Sequence, residues 1–143
     1  MLGLHHAGYT FLMPFGENTR YDLVIDDGLK FSRVQCKTGR LRDGAIRFKA
    51  CSSYAHHPNP KTLRRDYIDQ IDFFGVFCPE TGGVYLVPIE DALLRWQVAL
   101  RFSPARNNQA RNIRKAETYE IANVGVELSS GLRASSGARG SCA

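Results

Sequence analysis

Short apolar runs, interrupted by glycine, proline and aspartate, indicate a chain built mostly from β-strands. Residues 8–14 and 21–26 are predicted to form the first two strands. An Asp-Gly pair at 27–28 is a strong hairpin-turn sequence, so residues 29–38 are predicted to return beside the second strand. A further strand over residues 45–52 is expected to continue this meander.

The pattern changes in the second half of the chain. Residues 71–78 and 84–89 flank a Pro-Glu-Thr-Gly-Gly turn sequence and are predicted to form a second hairpin. A helix is predicted to begin after Pro88, because acidic residues fill its first turn and apolar residues follow at helical spacing. Those apolar residues are Ala92, Leu93, Trp96 and Leu100. Residues 53–63 hold two prolines and two histidines and are predicted to form a loop.

The composition is that of one globular domain, with 143 residues of which 43% are hydrophobic and 23% charged. We assign residues 1–128 to this domain and predict that residues 129–143, rich in Gly, Ser, Ala and Arg, form a disordered tail. No apolar stretch is long enough to span a membrane, and the first residues lack the features of a signal peptide. We therefore expect a cytoplasmic protein without a membrane partner.

The charges are sorted along the chain. Residues 28–65 hold ten basic side chains and one acid, residues 66–91 hold six acids and no Lys or Arg, and residues 92–116 hold six basic side chains and no acid. Two basic blocks around an acidic one suit a surface that faces a polyanion. The alternative is that a pI near 9.2 only keeps a small protein soluble.

The four cysteines lie far apart without a Cys-x-x-Cys pair, which predicts reduced and mostly buried thiols and argues against a zinc knuckle or a disulfide framework. The two His-His pairs are interpreted as solvated loop residues, although they could also be metal ligands.

The first predicted hairpin brings polar side chains together. If residues 27–28 form a two-residue turn, Asp22 lies opposite Arg33 and diagonal to Gln35. Because side chains alternate along a strand, one face is expected to carry Asp22, Val24, Asp26, Arg33, Gln35 and Lys37. The other face, with Leu23, Ile25, Val34 and Cys36, is predicted to be core.

A carboxylate, an amide oxygen and an ammonium on one face suit the hydrolysis of a phosphodiester with help from a divalent cation. Asp22 supplies an anionic ligand for a hard cation such as Mg²⁺, and Gln35 and the backbone carbonyl of Cys36 add neutral oxygen ligands. Lys37 can position the attacking water or offset charge that develops on the phosphate. The alternative is that Asp22 starts a strand while Gln35 and Lys37 lie on a solvated face.

These residues resemble a known family. Asp22 followed by Gln35-x-Lys37 resembles the PD-(D/E)XK nuclease signature in the variant where glutamine replaces the second acid. Residues 14–24 and 34–39 resemble the group I intron-associated PD-(D/E)XK endonucleases, a homing type. The likeness continues through three further blocks, 72–79, 84–88 and 106–111, and covers roughly residues 8–120.

The resemblance implies an α/β, restriction-endonuclease-like core with a central mixed β-sheet flanked by helices. It also implies cleavage of double-stranded DNA that depends on Mg²⁺ or Mn²⁺, and a homo-oligomer, a dimer or tetramer, that brings two sites to two strands. Asp22 and Gln35 then become metal-site residues, and Lys37 becomes the catalytic lysine. Family members begin with a helix that carries a further acid, and here a shortened N-terminal helix is expected.

Other polar residues are assigned by their place around this site. Glu17 could partly replace the missing acid, although an exposed loop position is the favoured interpretation. Asp66, Asp69 and Asp72 recur every three residues and could hold a second cation, although exposed carboxylates are favoured. Nucleic-acid contacts are predicted for Arg20, Arg33, Arg40, Arg42, Arg47, Lys49, Arg106, Asn107 and Arg111.

Two other functions stay open on the sequence alone. One is a catalytically weakened nucleic-acid-binding domain derived from such a nuclease, and the other is a small basic RNA-binding module without nuclease ancestry.

Overall fold

The structure is a computed structural model that describes residues 2–56, 59–93, 95–104 and 113–121. Three of the predicted nucleic-acid contacts, Arg106, Asn107 and Arg111, lie outside the described residues, as does the predicted tail. The elements, in chain order, are α1 (Leu2–His6), β1 (Thr10–Leu12), β2 (Leu23–Asp26), β3 (Phe31–Thr38), β4 (Arg40–Arg42), β5 (Ala45–Lys49), β6 (Ser52–His56), β7 (Asn59–Arg65), β8 (Phe73–Phe77), β9 (Val84–Pro88), a 3₁₀ turn (Ile89–Ala92), β10 (Gln97–Arg101) and α2 (Ala116–Tyr119).

A five-stranded mixed sheet forms the centre of the fold, with the strand order β1-β2-β3-β8-β9. The two predicted hairpins, β2–β3 and β8–β9, are both antiparallel, and β3 pairs with β8 in parallel. Parallel neighbours need a long crossover connection, which here consists of β4 to β7. The predicted central mixed sheet is confirmed, with few helices around it in the described part of the chain.

The predicted four-stranded meander is wrong beyond β3. Strand β5 leaves the central sheet and pairs with β4 and β10 in a separate three-stranded sheet. Its alternation is nevertheless as expected, because Ile46 and Phe48 are buried while Arg47 and Lys49 are exposed. Alternation along a strand identifies its buried face but does not identify the strand that it pairs with.

The loop predicted over residues 53–63 is also wrong, because most of this segment forms the β6–β7 hairpin. The prediction of a loop depends on the prolines of this segment. Ala55 pairs with Thr62 and His56 pairs with Asn59, so Pro60 lies in a register shift where it has no ladder partner. Such irregularities are among the few places where a sheet accepts proline.

The helix predicted after Pro88 is limited to one 3₁₀ turn, Ile89–Ala92, and the chain then enters β10. Val98 and Leu100 are almost completely buried, while Gln97 and Ala99, which alternate with them, are exposed. Alternation with a period of two is typical of a strand. The apolar spacing of this segment also fits a helix, and its burial against β5 selects the strand.

The central sheet has an apolar cluster on each face. One cluster joins β8 and β9 to the three-stranded sheet and contains Phe74, Val76, Ile46, Phe48 and Val98, among others. The other lies beneath the short helix α1 and contains Leu4, Leu23, Ile25, Val34 and Leu86, among others. Among the described residues, the helices are all too short to cross a membrane. Of the site residues described next, Gln35, Cys36 and Lys37 lie on β3, and Asp22 directly precedes β2.

Candidate active site

The β2–β3 hairpin places Asp22 directly opposite Gln35. Leu23 pairs with Val34 and Asp26 pairs with Phe31, so the connection is longer than the predicted two-residue turn. The pairing is shifted by two residues, and because side chains alternate with a period of two, each side chain keeps the face that was predicted for it. Asp22 and Gln35 therefore share a face, as expected, and are closer neighbours than the predicted diagonal.

The longer connection has a local cause. The side chain of Asp27 accepts hydrogen bonds from the backbone N–H groups of Leu29 and Lys30, at 2.8 and 2.9 Å. These bonds, that of Lys30 first, lower the pKa of Asp27. Gly28 adopts a φ of 85°, which glycine accepts without strain. An aspartate that bonds to its own turn thus replaces the tight turn that the Asp-Gly sequence predicts.

The carboxylate of Asp22 is fixed against β3. Its Oδ2 accepts hydrogen bonds from Gln35 Nε2 at 2.5 Å and from the backbone N–H of Cys36 at 2.7 Å. Strand β2 begins at Leu23, so Asp22 lies just before it. Its side-chain oxygen, in place of a main-chain carbonyl of β2, accepts the hydrogen bond from the Cys36 N–H. Asp22 therefore caps the β2–β3 ladder and at the same time presents an exposed carboxylate at its end.

The backbone carbonyl of Cys36 points to the same place. In a strand, the N–H and C=O groups of one residue project toward the same neighbour, and the Cys36 N–H points at Asp22. This carbonyl accepts a long hydrogen bond, 3.4 Å, from Gln35 Nε2. The side-chain amide of Gln35 thus lies between the Asp22 carboxylate and the Cys36 carbonyl.

The Cys36 thiol lies on the opposite face from Gln35, as predicted, but it is exposed rather than part of the core. Its neighbour on β8 is Gly75, which has no side chain to cover it, and a cavity of about 580 Å³ opens here between α1 and the sheet. Desolvation by the surrounding protein atoms, followed by the charge of Asp22, raises the pKa of this thiol. The predicted burial holds for Cys51 and Cys78.

Lys37 follows on the same face as Gln35 and contacts Tyr67. Its Nζ donates a 3.1 Å hydrogen bond to the Tyr67 hydroxyl and lies 4.8 Å from the centre of the ring. Tyr67 was not predicted as a site residue; it lies between Asp66 and Asp69 of the acidic block. Its only sequence signal is a single aromatic residue in a polar segment, and this does not identify a neighbour of Lys37.

Arg20 and Arg33 are bound within the protein. Arg33 pairs with Asp72 at 3.2 Å, and Asp72 also accepts a 2.6 Å hydrogen bond from the Arg33 backbone N–H. Desolvation opposes ionisation of Asp72, but the bonds and charge of Arg33 outweigh it and lower the pKa of this carboxyl. Arg20 donates to Ser52 and to the backbone carbonyl of Asp66. Their assignment to nucleic-acid binding stays a prediction, with these donors engaged inside the protein.

Five cationic side chains line one groove of about 610 Å³. We call it the basic groove; its cations are Lys37, Arg40, Arg42, Arg47 and Lys49. Arg40 and Arg47 are direct partners across the β4–β5 ladder, where like charges oppose each other. Each has an exposed acidic partner, Glu80 at 3.4 Å and Asp43 at 3.3 Å, which screens the repulsion weakly. A bound polyanion would relieve it.

The donors around Asp22 fit a hard divalent cation. They are one carboxylate, one side-chain amide and one main-chain carbonyl, the oxygen ligands that Mg²⁺ and Mn²⁺ accept. Gln35 turns its amide nitrogen to Asp22, so its oxygen would face a cation only after the amide turns over. Among the described residues, no three His, Cys, Asp or Glu side chains gather into a metal cluster, and Asp72 of the acidic block is paired with Arg33. Glu17 is an exposed loop residue.

Comparisons with known proteins give the family of this chain and a solved structure with a similar fold. A family model described as PD-(D/E)XK endonuclease matches residues 1–122. Among solved structures, the bacterial homing endonuclease I-Ssp6803I has a similar fold, with a TM-score of 0.66 and 20% sequence identity. The match covers 94% of this chain and 90% of that one. None of the curated proteins matches the chain significantly.

Proposed function

Because this chain belongs to the PD-(D/E)XK endonuclease family, we propose that it is an endonuclease that hydrolyses phosphodiester bonds of double-stranded DNA with Mg²⁺ or Mn²⁺. The observation that carries the proposal is the convergence of Asp22, Gln35 and the Cys36 carbonyl at the end of β2, with Lys37 on the same face of β3. The basic groove begins at Lys37, so a DNA backbone lying in it would pass beside this group of donors.

Each residue has a role in the proposed reaction. Asp22, Gln35 and the Cys36 carbonyl would hold the cation, which would supply Lewis-acid activation of the scissile phosphate. Lys37 would hold the attacking water by a hydrogen bond and offset negative charge on the phosphate. Arg40, Arg42, Arg47 and Lys49 would neutralise DNA phosphates without reading bases.

A homing function and an oligomer are finer parts of the same proposal. The fold neighbour I-Ssp6803I is a homing endonuclease, and the sequence blocks resemble enzymes associated with group I introns. One centre cuts one strand, so cleavage of both strands favours a homo-oligomer, a dimer or tetramer, with two sites. Sedimentation of the protein with and without duplex DNA tests this part separately.

Nicking of supercoiled plasmid tests the main proposal. We expect Mg²⁺-dependent nicking by the wild-type protein and none in the presence of a chelator. Asp22→Ala should abolish nicking, and Lys37→Ala should reduce it by about a hundredfold or more, as expected for the loss of a group that stabilises the transition state. Wild-type protein that never nicks under these conditions would refute the proposal.

A second candidate is a nucleic-acid-binding domain that has lost catalytic power. It is favoured by the two hydrogen bonds that Asp22 Oδ2 already accepts within the protein. Under this alternative, Asp22 serves to cap the ladder, and the basic groove serves to bind DNA. Binding of duplex DNA with a steep salt dependence but without nicking would support it.

A further inference from the structure

The Lys37 ammonium is held by one aromatic residue. Besides donating a 3.1 Å hydrogen bond to the Tyr67 hydroxyl, its Nζ lies within range of the ring face, 4.8 Å from the centroid. A lysine side chain is long and flexible, so one such contact removes much of the freedom of its charge. Tyr67 therefore decides where the ammonium lies relative to Gln35 on the same strand.

Tyr67 is itself fixed by the core. The residue is 4% exposed, and its ring meets the buried ring of Phe74 edge-on, at a centroid distance of 5.5 Å and an interplanar angle of 90°. Phe74 is the partner of Gln35 across the β3–β8 ladder. The hydroxyl that holds Lys37 is thus placed by the same strand pair that places the candidate ligand Gln35.

Arg20 braces the same ring from the segment that leads to Asp22. Its guanidinium carbon lies 4.3 Å from the Tyr67 ring centre. Its nitrogens donate to the Ser52 hydroxyl at 3.0 Å, to the Asp66 carbonyl at 2.6 Å and to the Gln70 side chain. One residue therefore ties the chain just before Asp22 to the segment that carries Tyr67.

We infer that Tyr67 is the positioning residue for Lys37, and that Arg20 holds Tyr67 in register with Asp22. The effect of this arrangement on cleavage rests on the proposed nuclease function. The ordering of the Lys37 ammonium does not, because it follows from the contacts within the protein alone.

Tyr67→Phe tests the inference, since it removes the hydroxyl and keeps the ring. We expect the single-turnover cleavage rate at saturating protein to fall about tenfold, the loss expected for one hydrogen bond to a charged group. The Kd for DNA, measured with Ca²⁺ in place of Mg²⁺, should change by less than about twofold, because all five positive charges of the basic groove, that of Lys37 included, are kept.

Tyr119→Phe is the matched control. Its hydroxyl also bonds to a charged residue, Asp91 at 2.8 Å, but it lies beside β9 at the far edge of the central sheet. This variant should leave the cleavage rate unchanged. An equal fall in both variants would overturn the inference, since it would show a general loss of stability.

Two further measurements separate positioning from structure. In a Lys37→Ala background, Tyr67→Phe should cause no additional loss of cleavage; a full additional tenfold loss would overturn the inference. By NMR, the Lys37 ammonium should be ordered in the wild type and more mobile in Tyr67→Phe, and unchanged mobility would also overturn it. If the wild type does not cleave DNA, the proposed function fails, and the ammonium mobility alone decides the role of Tyr67.

Discussion

The side-chain amide of Gln35 donates a 2.5 Å hydrogen bond to the carboxylate of Asp22, directly across the β2–β3 hairpin. In an acidic pair, two carboxylates at these positions would repel each other in the absence of a cation. With glutamine, the pair is held together by its own hydrogen bond. The site is therefore stable without a metal and can gain a neutral oxygen ligand when the amide turns over.

Gln35→Glu should make the stability of the protein depend on divalent cations. The substitution replaces the hydrogen bond by two opposed carboxylates, so we expect a loss of about 1 kcal/mol in the presence of chelator. Mg²⁺ should restore the lost stability. Thermal unfolding followed with and without the cation measures this gain. Gln97→Glu is the control, because Gln97 is an exposed residue that pairs with Lys49. An equal gain in stability with Mg²⁺ for both variants would contradict a cation site between Asp22 and position 35.

Lys49→Ala should lower the salt dependence of DNA binding. If Lys49 contacts a phosphate in the basic groove, the slope of log K against log salt should fall in magnitude by about one. Lys30→Ala, in the exposed β2–β3 loop outside the groove, should leave the slope unchanged. Fluorescence anisotropy at several salt concentrations measures both. A lower slope for Lys30→Ala but not for Lys49→Ala would contradict DNA binding in the basic groove.

Asp72→Asn should destabilise the protein at neutral pH but not in strong acid. The pKa of Asp72 is lowered in the folded state, so its contribution is present above the unfolded value of 3.8 and is lost as the pH falls through the folded value. Since both side chains are about 40% exposed, we expect a loss of about 1 kcal/mol at neutral pH.

Urea unfolding at neutral pH and at a pH well below the lowered folded pKa of Asp72 measures this difference. Asp43→Asn is the control, because the Asp43–Arg47 pair is more exposed and asparagine accepts the positive φ at this position. A destabilisation by Asp72→Asn that persists unchanged in acid would show that the ion pair is not its cause.

The placement of Asp22, Gln35 and Lys37 on one face could be predicted because it depends on alternation alone. The register of the hairpin was wrong by two residues, but an even shift leaves every side chain on its face. The basic groove was predicted as a set of residues, and its shape comes from the β4–β5 hairpin, which folds Arg40 against Arg47.

Features that depend on distant contacts could not be predicted. Tyr67 contacts Lys37 across thirty positions of the chain, through a crossover whose β6–β7 hairpin has the proline content typical of a loop. The apolar spacing around strand β10 fits the period of a helix as well as that of a strand, and its burial against β5 selects the strand.

The most direct test of the account is the binding of Mn²⁺ to the protein–DNA complex, followed by water proton relaxation. The account predicts that Asp22→Asn weakens Mn²⁺ binding by at least about tenfold, because it removes the carboxylate that the described part of the protein supplies to the cation. Asp26→Asn, at the far end of β2 and on the same face of the hairpin, should bind Mn²⁺ like the wild type. Equal Mn²⁺ affinity in the wild type and Asp22→Asn would contradict the claim that Asp22 holds the cation.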